Sequence, residues 1–170
     1  MMEFDVVTLG DTDHPTVGET VPSFTRPLVT EEFWEDRSLA DVYADQPVLL
    51  VFHPMDGAFP STYIYDTLES RGIDTHDGIK LVGCSISTPY AHAELLRSTE
   101  IDASLFSDPA NEVAEQFDIV NDLDGMAGIS EPRPAVFLID TDGTVLYDWV
   151  ASEWPEFPEY DAIEDAIAAL

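Results

Sequence analysis

One cysteine, Cys84, is the only thiol in the 170 residues. A lone thiol excludes an intramolecular disulfide, a CxxC redox pair and a cysteine-built zinc site. Any thiol redox cycle would therefore need an outside partner or a second subunit. Basic residues are also scarce, six Lys and Arg against 35 Asp and Glu, for a formal net charge of −29. Nucleic acid is not an expected partner, because it demands clustered cations to neutralise phosphates. No window approaches the roughly 18 apolar residues of a membrane span. The opening "MMEFDVVTLGDTDHPT" lacks the cationic and apolar regions of a signal peptide, so a cytoplasmic location is expected.

What is abundant is acid, spread through the chain rather than gathered in a tail. Self-repulsion at that density destabilises a compact state in dilute buffer. Concentrated salt shortens the Debye length to about 3 Å and relieves it. This is the composition expected of a folded protein in a high-salt cytoplasm. With 45% hydrophobic residues there is enough apolar material for one ordinary core.

Periodicity divides the chain into alternating elements. "SLADVYAD" (38–45) reads as a short helix capped by its serine. "PVLLVFH" (47–53) and "IKLVGCSI" (79–86) read as strands covered on both faces. Between them, Ile64 and Leu68 mark a helix that stops at Gly72. "PYAHAELLRS" (89–98) is a helix with proline in its first turn. "SLFSD" (104–108) is a strand and "PANEVAEQF" (109–117) a helix. "PAVFLID" and "TVLYDWV" flank a tight "TDG" turn, and a last helix sets Ile163, Ile167 and Leu170 on one face. This order predicts an α/β fold with a mixed central sheet and helices on both faces. Residues 1–16 form an N-terminal extension in this reading and 17–170 a single domain.

"VGETVPSF" (17–24), "LLVFHPMDGAFPS" (49–61), "LVGCSIST", "LFSDPANEVAEQF" and "AVFLIDTDG" stand in the order and spacing of a known family. Together they resemble the peroxiredoxins, of the alkyl hydroperoxide reductase and thiol-specific antioxidant (redoxin) type, which share the thioredoxin fold. The resemblance implies a thiolate that attacks the peroxide O–O bond, supported by a Thr hydroxyl and an Arg. It places Pro54 at the motif's proline, Ala58 at its threonine and Ser61 at its peroxidatic cysteine. The arginine position falls on Pro134, with Arg133 one residue away. If Pro134 were cis, Arg133 would be aimed at the Ser61 loop. The two would then keep a small pocket lined by Phe52, Pro54, Phe59 and Arg133.

A serine hydroxyl has no accessible anion near neutral pH and cannot replace the thiol. The resemblance thus implies a degenerate site and a binding or regulatory role, with no catalytic residue and no cofactor assigned. Two other classes stay open. One is a peroxide-reducing oxidoreductase using Cys84 or a partner's thiol, although a mid-strand cysteine reads as core. The other is a hydrolase pairing Ser61 with His53, although no G-x-S-x-G elbow is present and Ser61 reads as a helix cap.

The four histidines, His14, His53, His76 and His92, lack H-x-H or H-E-x-x-H spacing, so no metal site is expected from them. "VNDLDGMAGISE" (120–131) sets Asp122, Asp124, Gly125 and Glu131 at calcium-loop positions. Val120 stands where the first Asp belongs, and a solvated loop is expected instead. The aromatic "WVASEWPEFPEY" (149–160) reads as a clamp under the last helix or as a patch for a partner. A homodimer or an unidentified protein is the partner that this allows.

Overall fold

The computed structural model describes residues 5–121 and 126–170. Its centre is a seven-stranded sheet. In chain order the elements begin with β1 (Val7–Thr8), β2 (Thr25–Val29), β3 (Trp34–Ser38), α1 (Leu39–Tyr43), β4 (Val48–Phe52) and α2 (Phe59–Ser70). Next come β5 (Lys80–Ser85), α3 (Pro89–Ser98), β6 (Ser104–Ser107), α4 (Glu112–Gln116), β7 (Val120–Asn121) and β8 (Glu131–Pro132). The chain closes with β9 (Ala135–Ile139), β10 (Val145–Val150), β11 (Glu153–Trp154) and α5 (Tyr160–Ala168). The strand order is β10-β9-β4-β5-β6-β2-β3, with β4, β5 and β6 parallel and the others antiparallel to their neighbours.

Strand β4 shows why the apolar run was needed. Side chains alternate across a strand, so Val48, Leu50 and Phe52 enter one core and Leu49 and Val51 the other. The first core holds residues of α1 and α4, including Leu39, Val42 and Val113. The second holds residues of α2, α3 and α5, including Ile64, Leu68, Leu96 and Ile163. The sheet is therefore covered on both faces, as the sequence predicts.

Several local expectations change. The hairpin of β2 and β3 was not foreseen, because "WEDRS" is polar and lies at the sheet edge, where no buried face imprints a pattern. Helix α4 starts at Glu112, not Pro109, because Asn111 takes a left-handed φ of 60°. Ile163 and Ile167 are buried, but Leu170 is 51% exposed beyond the end of α5. Of the calcium-like loop, Asp122, Asp124 and Gly125 lie outside the described residues, whereas Glu131 is buried in β8. The N-terminal stretch adds β1, which pairs with β11.

Candidate functional site

The parallel strands β4, β5 and β6 all end at one rim, where open α/β sheets place their ligand crevices. His53 follows β4, Ser85 ends β5 with Ser87 just beyond it, and Ser107 closes β6. Two contacts tie these ends together. The Asp56 backbone N–H donates to Ser87 Oγ at 2.8 Å, and Ser107 Oγ donates to the Ser87 carbonyl at 2.6 Å.

Ser61 lies on this rim in the first turn of α2. It does not cap the helix: the N-cap is Ala58, which has no side-chain hydrogen bond. Ser61 is fully buried, and its Oγ donates to the Met55 carbonyl at 2.8 Å. Pro54 is buried beside it in the connecting loop, and Gly57 supplies the turn with a φ of 85°. A cleft of ≈ 430 Å³ opens here, lined in part by Asp56, Gly57, Ser61, Thr62 and Tyr65.

Arg133 is engaged by backbone carbonyls. Its Nη1 donates to the carbonyls of Gly10 at 3.0 Å and Ala151 at 3.1 Å. Burial pushes its guanidinium below the ordinary arginine value, while the charge of Asp118 acts the other way. The cis peptide among the described residues is Trp154–Pro155, so Pro134 is trans. The condition for a pocket of Phe52, Pro54, Phe59 and Arg133 is therefore not met. Phe52 is sealed in the first core and Phe59 is 42% exposed. Phe59, Tyr63 and Phe157 instead form an edge-to-face aromatic group on the surface.

Cys84 belongs to the first core, with Phe52, Val82 and Phe106. Helix α2 covers the opposite face of the sheet, so the thiol and Ser61 are on different sides of it. Burial, and then the charge of Asp108, push the Cys84 thiol well above its ordinary value. Asp108 is itself buried and accepts from Arg26 Nε at 2.9 Å and from the Val113 backbone at 2.7 Å.

One polar cluster on the rim has no signal in sequence spacing. His53 and His92 are both fully buried, and one carboxylate, Asp56, joins them. Asp56 Oδ1 is 2.8 Å from His53 Nε2, and its Oδ2 is 2.7 Å from His92 Nδ1. The outer ring nitrogens are also fixed. His53 Nδ1 meets the Tyr65 hydroxyl at 2.8 Å, and His92 Nε2 meets the Phe106 carbonyl at 3.0 Å. Burial alone would raise the Asp56 carboxyl, but hydrogen bonds and charge from both histidines outweigh it and hold it far below the usual range. Burial pushes His53 down, with Asp56 opposing. Both His53 nitrogens are thus engaged by Asp56 and Tyr65, and the pairing of Ser61 with His53 is not made.

Residues 17–148 match the AhpC/TSA family. The chain belongs to that family. Solved structures agree with this AhpC/TSA assignment. The chain is similar to peroxidoxin BcpB of Mycobacterium tuberculosis, at 26% identity and TM-score 0.70, over 91% of this chain and 96% of that one. It shares its fold with the reduced 2-Cys peroxiredoxin of Plasmodium vivax, at 23% identity and TM-score 0.76, over 91% and 81% of the two chains. Thioredoxin peroxidase I of Plasmodium yoelii is similar in fold at 24% identity and TM-score 0.73, over 90% and 89%. No curated protein matches. Among the described residues of this AhpC/TSA member, no helix is long and apolar enough to cross a membrane.

Proposed function

We propose that this AhpC/TSA-family protein has lost thiol peroxidase chemistry at the family's site and acts as a binding or regulatory module in a high-salt cytoplasm. One observation carries the reading: the rim position that resembles the peroxidatic cysteine is Ser61, and the only thiol lies across the sheet from it. Peroxide reduction needs an accessible sulfur whose anion forms easily. Cys84 is buried with its thiol pushed up, and Ser61 is hydrogen-bonded to Met55. Ala58 offers no hydroxyl, and Arg133 is bonded to Gly10 and Ala151. The 35 acids against six bases support the high-salt setting, and a second copy of the chain or another protein is the partner the reading allows.

The test is a stoichiometric pulse of hydrogen peroxide on the full chain in molar KCl, followed by a thiol-blocking reagent and intact-mass measurement. The expected result is a Cys84 thiol that stays reduced for many minutes and is blocked only after unfolding. An added oxygen or a thiol adduct at Cys84 within seconds would overturn the reading and make the chain a one-cysteine peroxidase.

A further inference from the structure

The His53, Asp56 and His92 cluster has more donor capacity than a scaffold needs. One ligand atom from each of the three residues lies within 4.8 Å of the others. The three come from the end of β4, the loop before α2 and the buried face of α3, so the fold and not local sequence brings them together. Two buried imidazoles aimed at one carboxylate form a nitrogen–nitrogen–oxygen set, the donor chemistry that suits divalent first-row transition ions rather than calcium or magnesium.

The outer contacts point the same way. A metal-bound histidine commonly donates its other ring N–H to a carbonyl, carboxylate or water, which fixes the tautomer and ring plane. The Phe106 carbonyl can only accept, so His92 Nε2 carries its hydrogen, and an ion at Nδ1 would take the place of the proton that Nδ1 now shares with Asp56. The Tyr65 hydroxyl can accept as well as donate, so it can hold His53 with the Nε2 lone pair facing inward. Metal–ligand bonds of about 2.0–2.2 Å set two ligands roughly 3–4 Å apart. The present 2.8 Å and 2.7 Å separations therefore need to open by about 1 Å or less. Asp56 also lines the ≈ 430 Å³ cleft, which gives an ion a way in and leaves room for further ligands.

We propose that His53 Nε2, Asp56 and His92 Nδ1 form a three-ligand site for a divalent first-row transition ion, with its open positions toward the cleft. The site does not depend on the loss of thiol chemistry, and its test involves no peroxide.

The experiment uses the full chain, stripped of metal, in KCl with excess Mg²⁺ to occupy surface carboxylates. Histidine ring nitrogens are followed by NMR as Zn²⁺ is added, and visible absorption is followed as Co²⁺ is added. The expected result is saturation at one equivalent, with His53 and His92 signals shifting and those of His14 and His76 unchanged. His92→Gln should weaken binding by more than the about 10–100-fold typical of losing an outer-contact partner. Should that variant fail to fold, the ring spectrum of the wild-type chain decides alone. Ring signals unmoved at several equivalents, or non-saturating uptake shared by wild type and variant, would overturn the proposal and leave the cluster as a hydrogen-bonded strut.

Discussion

The Tyr65 hydroxyl occupies the space where a Cβ on Gly83 would lie, and from there it meets His53 Nδ1. A strand glycine and a helix tyrosine thus set the position of a buried histidine. A Cβ at residue 83 would also stand 2.5 Å from Leu105 Cδ2, so neither neighbour leaves it room.

Gly83→Ala is therefore expected to destabilise the protein by about 1–3 kcal/mol, the usual cost of overpacking a tight core. Tyr65→Phe should relieve part of the clash. The double variant should then be less than additive, by about 1 kcal/mol. Chemical denaturation of the four proteins checks this, and strict additivity would show that the hydroxyl is not the obstacle.

Ser61→Cys places a sulfur in the first turn of α2. It should cost about 1 kcal/mol, from the lost hydrogen bond to Met55. Its thiol should be oxidised by hydrogen peroxide no faster than a small-molecule thiolate at the same pH. Ala58 gives no hydroxyl, and Arg133 is bonded to Gly10 and Ala151. Stopped-flow mixing would measure the rate. A much faster reaction would mean that the peptide frame alone activates peroxide.

Acid should weaken the fold in two stages. Burial holds the folded His53 below its ordinary value of 6.5, against the pull of Asp56, so as pH falls below 6.5 the unfolded chain takes up a proton first. Asp56, held low in the folded state, adds stability above the ordinary value of 3.8 and loses it as pH drops further. Tyr65 and His92 also face His53. Urea midpoints in metal-free buffer should fall between about pH 7.5 and 5, and less steeply in His53→Gln. Equal slopes in the two proteins would assign the acid loss to other groups.

Salt should act in the opposite sense to its effect on an ordinary ion-paired surface. With a net charge of −29, repulsion outweighs attraction, so screening stabilises. Thermal midpoints should rise by several degrees from dilute buffer to molar KCl. A flat or falling curve would remove the support for a high-salt setting.

The fold was legible because β4, β5 and β9 are apolar on both faces, and such runs have few other uses in a chain this acidic. The β2–β3 edge hairpin was not, since its exposure pattern is set by what it does not touch. Pro54, Ala58 and Ser61 were named from a motif resemblance, and they lie in the loop before α2, at its N-cap and in its first turn. The turn that Ser61 makes toward Met55 could not be named that way, because it depends on loop geometry. His53 and His92 stand far apart in sequence and meet only through strand and helix packing, so no spacing rule finds them. Each sits in an otherwise apolar or helical stretch as a buried polar residue, and that is the one local signal available.

Cys84 has one further use. The sheet and the first core seal the protein's only thiol. A solvent reagent can reach it only when the layers on that side come apart. The residue is a built-in clock: its labelling half-time under native conditions reports how often the centre of the molecule opens, without an engineered probe.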